Sequence, residues 1–223
     1  MTFHDRLIAE TAVARTEFLS IPILRRALDG NVPRALYLEF LGQAYHHVCH
    51  TCPLMALAAR RTRDRDYWAA LHAYIHEERG HEQWILADIA VLGGDADRVM
   101  RAAPRPPCRA MIAYAYYAVE WISPYALLGM VHVLEGMSVL LAGRAAAALR
   151  KGLGARGGGG FRYLDSHGAL DVEHVEFFRE LVNTLPEPLS GDVIVDCANV
   201  MYWLYGNIFR ELGRVPCEDA HAA

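Results

Sequence analysis

Apolar residues recur every three or four positions along most of the chain, and this spacing places them on one face of an α-helix. No stretch alternates polar and apolar residues for long enough to predict a strand. We therefore predict an all-α fold. The segments that the pattern indicates as helical are 3–18, 21–29, 33–60, 64–93, 107–121, 124–151, 160–184 and 190–213.

Glycine and proline separate these segments. Gly93 and Gly94 end the 64–93 segment, and Pro53 is predicted to kink the helix that contains it. Gly129 and Gly136 are predicted to let neighbouring helices approach closely. The glycine-rich run 152–160 is predicted to be a flexible link. It is not a phosphate-binding loop, because no strand precedes it and no Gly-Lys-Ser/Thr sequence ends it.

Length and composition narrow the class of protein. With 223 residues and 53% hydrophobic content, we expect one helical domain over 1–214 and a polar tail over 215–223. A net charge of −4 without a basic stripe argues against a nucleic-acid partner. The longest apolar stretch, 122–134, is too short and too polar to cross a membrane and is predicted to be a core helix. Charged residues at the start of the chain and five cysteines without a framework spacing indicate a cytoplasmic protein.

The most specific motif is His167-x-x-x-Asp171-x-x-His174. On one helix these three residues lie within about 60° of each other, so that two imidazoles and a carboxylate share a face. Burying such a trio is costly unless a cation neutralises and orients it. The motif therefore predicts a metal site.

Two further stretches complete a candidate ligand set. Glu78-x-x-His81 has the spacing used by carboxylate-bridged diiron helices, although Glu77 is an alternative to Glu78 because it lies four residues before His81. Glu135 is a lone carboxylate in an apolar run, where a cation, a partner arginine or a raised pKa would relieve its burial. Three carboxylates and three imidazoles suit two irons, and we assign the bridging role to Glu135.

Residues around this set are candidates for a substrate pocket, which should be lined by apolar and aromatic side chains. His46, Cys49, His50 and Cys52 also have ligand-like spacing, but the His pair and the Cys pair lie on different faces of a helix, which argues against zinc. The pocket candidates are Tyr45, His50, Tyr117, Trp121, His132 and Tyr205.

Three stretches carry a resemblance to a known family: EERGHEQW at 77–84, VLEGM at 133–137 and SHGALDVEHVEFF at 166–178. They resemble the heme-oxygenase-like diiron oxidases and oxygenases, in particular a bacterial branch of iron-containing redox enzymes, and the similarity runs from about Pro33 to Arg210. Some members have a glutamate seven residues before the histidine. That position is Tyr74 here, which cannot replace a carboxylate, so the resemblance assigns the metal-ligand role to Glu78.

The resemblance implies an up-and-down bundle of about seven helices, shared with TenA-like (thiaminase II) hydrolases and with the cofactorless quinone-forming oxidase PqqC. It also implies two Fe(II) ions per chain, O2 as co-substrate and no heme. We expect an oxidoreductase that acts on an amino acid, a fatty acid or an amine-containing intermediate by C–H abstraction, N-oxygenation or C–C cleavage, with an external electron donor and a homodimer as further expectations. The alternatives are an iron-binding bundle without an organic substrate and a metal-independent hydrolase that uses Cys49 or Cys52.

Overall fold

A computed structural model describes residues 1–154, 159–186 and 190–214, and for 168–173 it describes the backbone alone. The described residues form α-helices and no strand, which confirms the predicted all-α fold. The expected tail over 215–223 lies outside the described residues, as do residues 155–158 of the glycine-rich link. The helices are α1 (Phe3–Glu10), α2 (Ala12–Leu19), α3 (Pro22–Leu28), α4 (Arg34–Val48), α5 (Thr51–Arg61), α6 (Arg65–Glu78), α7 (His81–Val91), α8 (Ala96–Arg101), α9 (Pro106–Tyr117), α10 (Ala126–Gly152), α11 (Arg162–Thr184) and α12 (Gly191–Leu212).

Three of the predicted helices are divided in the structure. The 3–18 segment breaks at Thr11, whose hydroxyl donates a hydrogen bond to the Leu7 carbonyl. The 33–60 segment breaks at Cys49 and His50. Pro53 explains that break, because a proline ring clashes with the carbonyl four residues earlier but is tolerated in the first turn of the new helix. The predicted kink at Pro53 is thus confirmed.

The break in the 64–93 segment was not predicted. Arg79 is extended and Gly80 has a φ of +91°, a left-handed conformation that glycine adopts without strain. This turn redirects the chain between the end of α6 and the start of α7. Two further features were not predicted: the short helix α8, and a π-helical turn over Ala118–Ile122 that follows α9.

The long helix α10 lies at the centre of the molecule and packs against α3, α5, α9, α11 and α12. Gly129 makes the contact with α12 possible, because a Cβ there would lie 2.7 Å from the Ala198 nitrogen and 2.7 Å from the Ile194 oxygen. The predicted close approach at Gly129 is therefore confirmed. At Gly136 it is not supported, since a Cβ at that position would meet no atom of the described residues within 4 Å.

Helix α10 is also long and apolar enough to cross a membrane when judged by length and composition, with a mean hydropathy of 1.7 over eighteen residues. More than half of that window is buried inside the protein. Core helices of soluble proteins meet the same criterion, so this feature is weak support for a membrane span. The packing of α10 agrees with the prediction that the apolar stretch 122–134 forms part of a core helix.

One buried carboxylate fixes the start of α11. Asp88, on α7, accepts hydrogen bonds from the backbone nitrogens of Arg162 at 3.0 Å and Tyr163 at 2.8 Å. These are among the first backbone N–H groups of α11, which have no acceptor within their own helix. Asp88 therefore connects α7 to α11, the two helices that carry His81 and His167.

Candidate metal centre

The turn at Gly80 places Glu78 and His81 side by side. Glu78 is the last residue of α6 and His81 is the first of α7, and both are buried, with 7% and 4% exposure. Oε2 of Glu78 lies 3.1 Å from Nδ1 of His81. The sequence analysis expected this pair on one continuous helix. The structure instead brings the two side chains together across a break between helices.

Helix α11 supplies the imidazoles of His167 and His174. The ring of His167 meets the ring of His81 edge to face at 5.0 Å between centroids. Nδ1 of His174 lies 3.6 Å from both Oε1 of Glu78 and Oε1 of Glu135. Asp171 lies between the two histidines on α11, and its side chain is outside the described residues.

Five of the six predicted ligands form two overlapping groups. Glu78, His81 and His167 form the first group, and Glu78, Glu135 and His174 form the second. Within each group one potential ligand atom per residue lies within 4.8 Å of the others. Glu78 belongs to both groups, whereas the sequence analysis gave the bridging place to Glu135. The arrangement is that of two adjacent cation sites with one carboxylate in common.

The surroundings favour an ionised carboxylate at Glu78. Burial by itself would raise the pKa of Glu78, but the hydrogen bond from His81 and the proximity of His81, His167 and His174 outweigh it, so that the pKa is lowered. A buried anion among imidazoles is suited to a divalent cation, because metal ligation requires ionised carboxylates and neutral imidazoles. The donor set of this cluster therefore fits iron.

Glu77 has a different environment from Glu78. Its side chain is about half exposed, and its Oε2 lies 2.8 Å from Nε2 of His174. The other nitrogen of that ring, Nδ1, faces Glu78 and Glu135. A carboxylate on the outer nitrogen of a ligating histidine fixes the tautomer and orientation of the ring. Glu77 is therefore placed to orient His174, while Glu78 is placed in the cluster.

An apolar cavity of about 180 Å³ opens beside the cluster. Glu78, Glu135 and His167 contribute to its wall, which continues along α10 from Leu127 to Leu149. Most of the remaining wall is aliphatic or aromatic and comes from α3, α4 and α12. A space of this kind next to polar groups is the usual form of a small-molecule site.

The predicted pocket residues are distributed unevenly. Tyr205 lines the cavity and stacks on Phe18 at 5.4 Å. Tyr45 and His50 are partly buried but are not among the described residues that line it, and Nδ1 of His50 lies 3.0 Å from the Tyr116 hydroxyl. A different residue of α4, His47, takes the place expected for them.

Three further pocket candidates, Tyr117, Trp121 and His132, are also not among the described residues that line this cavity. Tyr117, the last residue of α9, and Trp121 lie on the surface with 54% and 76% exposure. Trp121 falls in the π-helical turn, which shifts the phase of the helix that carries it. His132 lines a separate pocket with Arg15, Gly136 and Tyr202. Its Nε2 lies 3.3 Å from the Thr11 hydroxyl oxygen, and its ring stacks on Phe178.

Sequence reasoning missed His47. It is 4% exposed, lines the cavity and meets the Tyr205 ring edge to face at 6.0 Å. Its Nδ1 has no hydrogen-bond partner among the described residues. The signal was present in α4, where Leu36, Phe40 and Ala44 form an apolar stripe that His47 continues at helical spacing.

Comparisons with known proteins bear on the fold and the family of the chain. None of the curated proteins compared with the chain matches it. The chain is similar to a solved domain of unknown function with a heme oxygenase-like fold from Shewanella denitrificans, with 24% identity, a TM-score of 0.84 and coverage of 94% of this chain and 91% of that chain.

Two further solved structures share the fold at lower identity. A TenA homologue from Pseudomonas syringae has 13% identity and a TM-score of 0.79, with coverage of 96% of this chain and 93% of that chain. Heme oxygenase-1 from Synechocystis, solved with heme, has 16% identity and a TM-score of 0.73, with coverage of 95% and 92%. The fold is thus heme-oxygenase-like, as the resemblance implied. The model of the iron-containing redox enzyme family matches residues 38–206, and the chain therefore belongs to that family.

Proposed function

We propose that this protein is a non-heme diiron oxidase or oxygenase that uses O2 to oxidise a small organic substrate. The observation that carries the proposal is the pair of overlapping ligand groups that share Glu78. Two adjacent sites with a common carboxylate suit a binuclear centre better than a single ion. Membership of the iron-containing redox enzyme family supports iron as the metal.

The ligands we assign are Glu78, His81 and His167 for one iron, and Glu78, Glu135 and His174 for the other. Asp171 is a sixth proposed ligand, from its position one turn after His167 on α11. Glu78 replaces Glu135 as the proposed bridge. When bound, two such irons would supply the electrons and open coordination positions that reductive activation of O2 requires.

The protein's own residues would prepare the site for that chemistry. Glu77 accepts the Nε2 proton of His174 and leaves Nδ1 free of a proton toward the cluster. Burial of Glu78 and His81 excludes bulk water from the shared carboxylate. The cavity beside Glu135 has a mostly aliphatic wall, so an organic substrate bound in it would lie next to the proposed iron ligands.

Heme is the principal alternative cofactor, because one of the similar structures holds it. Heme iron in proteins is commonly held by one proximal histidine, with a distal pocket on its other side. Here the imidazoles approach carboxylates instead, with Glu78 close to both His81 and His174. This donor set favours non-heme iron.

The hydrolase alternative is disfavoured by the cysteines. Burial raises the pKa of Cys49 and of Cys52, which reduces the thiolate fraction that a nucleophile needs. Neither residue is among the described residues that line the cavity. An iron-binding bundle without an organic substrate remains a separate outcome of the experiment below.

The test is anaerobic loading of the purified protein with Fe(II), followed by iron analysis, optical spectroscopy and exposure to O2. We expect about two irons per chain, no Soret band after incubation with heme and rapid O2 consumption. Stoichiometric heme binding would contradict the proposal, as would retention of two irons by a His167→Ala/His174→Ala variant. Iron binding with O2 uptake that no member of an organic substrate panel alters would identify the iron-binding alternative.

A further inference from the structure

The cavity beside the cluster has two chemically distinct parts. Glu78, Glu135 and His167 of the cluster line one part, together with His47, which interacts electrostatically with His167. Beyond Ser138, the α10 side of the wall consists of Leu141, Ala142, Ala145 and Leu149. From Glu135 to Leu149 this wall extends over about 20 Å of helix, at 1.5 Å per residue. The cavity is therefore elongated, with polar groups gathered near the cluster.

The far part, which we call the apolar arm, is enclosed on its other sides by α3 and α12. Ile23, Leu24 and Ala27 line it from α3, and Phe209 and Leu212 line it from α12. None of the described residues that line the cavity is Lys or Arg. A cavity of about 180 Å³ exceeds the 150 Å³ that suffices for benzene in an apolar protein interior. The apolar arm thus suits a hydrocarbon chain.

His47 is the polar group whose role the proposed iron centre leaves unexplained. It belongs to neither ligand group, yet it is buried, lines the cavity and has a ring nitrogen without a hydrogen-bond partner among the described residues. A buried polar atom left unpaired destabilises the protein. A ligand atom that bonds to this nitrogen would remove that destabilisation.

The ligand group that meets His47 must suit a neutral imidazole. Burial lowers the pKa of His47 to about 3, with smaller contributions from His167, His50 and His46, so the ring is uncharged near neutral pH. A neutral imidazole offers one donor and one acceptor but no counter-charge. A carboxylate head has no lysine or arginine to pair with in the described wall, and with iron bound it would be drawn to the metals instead of to His47.

We propose that the substrate is an elongated aliphatic molecule with an uncharged polar head, such as a hydroxyl or carbonyl group. The head hydrogen-bonds to His47 beside the cluster, and the chain lies in the apolar arm. His47 is then a positioning residue that sets which carbon faces the oxidising centre. This inference rests on the proposed function, because it places the head where oxidation is proposed to occur.

Binding can be measured without iron, by calorimetric titration of the purified full chain with 1-hexanol, 1-octanol, 1-decanol and 1-dodecanol. Affinity should rise roughly fourfold per added methylene until the arm is full. Ala145→Phe, which fills the arm, should abolish the gain for the longer alcohols. Ala147→Phe is the matched control, since Ala147 lies on the exposed side of the same helix and does not line the cavity.

The head contact is tested by His47→Phe, which keeps a ring but removes the hydrogen bond. The substitution should weaken the binding of 1-decanol roughly three- to tenfold, as expected for one neutral hydrogen bond, and should leave the binding of n-decane unchanged. His47→Gln should restore most of the affinity, and His46→Phe, outside the cavity wall, should have no effect. Thermal unfolding verifies that each variant is folded.

Three results would overturn the inference: affinities that do not depend on chain length, equal losses for 1-decanol and n-decane in His47→Phe, or decanoate binding as tightly as 1-decanol. Each can occur in a protein that still binds two irons and consumes O2, in which case the proposed function stands. If the alcohols follow the expected pattern but no iron binds, the ligand site stands and the diiron proposal fails.

Discussion

Oε2 of Glu77 lies 2.8 Å from Nε2 of His174, on the side of the ring opposite to the candidate metal cluster. The adjacent residue, Glu78, lies on the inner side of the same ring, with Oε1 3.6 Å from Nδ1. Two consecutive glutamates at the end of α6 thus contact the two nitrogens of one imidazole. Their effects on metal binding should differ accordingly.

We expect Glu78→Gln to lose both irons, because Glu78 belongs to both ligand groups. Glu77→Gln should keep two irons at saturation but with an affinity about 10–100-fold lower, the usual effect of removing a carboxylate that orients a ligating histidine. Anaerobic Fe(II) titration measures both. Glu180→Gln, on the exposed surface of α11, is the control and should bind as the unmodified chain does. If Glu78→Gln still bound two irons, the assignment of Glu78 as the shared ligand and of Glu77 as the orienting residue would be contradicted.

The turn between α6 and α7 depends on glycine. Gly80 has a φ of +91°, and a Cβ there would meet no atom within 4 Å in the part of the chain that the structure describes, so Gly80→Ala introduces backbone strain without a steric clash with those residues. We expect a loss of about 1–2 kcal/mol in the free energy of unfolding and weaker iron binding, because the turn sets the distance between Glu78 and His81. Urea denaturation and Fe(II) titration report the two effects.

Gly136→Ala provides a matched comparison for the same substitution. Gly136 lies within α10, where a Cβ would also meet none of the described atoms within 4 Å, but its backbone is helical. Alanine there should raise the free energy of unfolding by about 0.5–1 kcal/mol. The two substitutions are expected to have opposite signs. A stabilising Gly80→Ala would show that the left-handed turn is not required.

Asp88 is expected to stabilise α11 through its two backbone acceptor bonds. Asp88→Ala removes both and leaves two N–H groups at the start of α11 without these acceptors, which should cost about 1–2 kcal/mol. Urea denaturation measures the change, and hydrogen exchange should show it most strongly in the first turn of α11. Asp97→Ala, at an exposed site in the first turn of α8, is the control. An equal loss in both variants would argue against a specific role for Asp88.

His132 makes stability depend on pH. Burial lowers its pKa to about 4, with smaller contributions from His4 and Arg15, whereas an unfolded histidine titrates near 6.5. Between those values unfolding takes up a proton, so the free energy of unfolding should fall as the pH drops from about 6.5 to about 4. For this one group the fall is roughly 3 kcal/mol.

The measurement is urea denaturation at several pH values for the unmodified chain and His132→Phe. The variant should lose much of this dependence, and what remains comes in part from His47, whose pKa burial lowers to about 3. His76→Phe, at an exposed histidine, should leave the dependence intact. An identical pH profile for His132→Phe and the unmodified chain would contradict the assignment.

Periodicity was sufficient to predict the helical class and to bring His167 and His174 together, because both features follow from spacing within one helix. It missed the break at Gly80, where a single glycine sits among charged residues that an exposed helix face would also contain. It did not choose between Glu77 and Glu78 on physical grounds, since that choice depends on where α11 packs.

The pocket residues were harder to predict because they depend on helix phase. Trp121 falls in the π-helical turn, where the repeat is longer than in an α-helix and the expected face is lost. His132 and Glu135 are one turn apart on α10, but this helix is buried on several sides, so neighbouring residues can face different partners. Apolar spacing therefore identifies α10 as central without saying which face borders the cavity.

Helix α10 carries Glu135 within the cluster and, on later turns, Ala142 and Ala145 in the cavity wall. Substitutions at the two alanines can lengthen, shorten or block the space without altering a ligand atom. Under the proposed function, related proteins would then be able to diverge in the molecules they accept while retaining one oxidative chemistry. Variation at these two positions among relatives would be a record of such divergence.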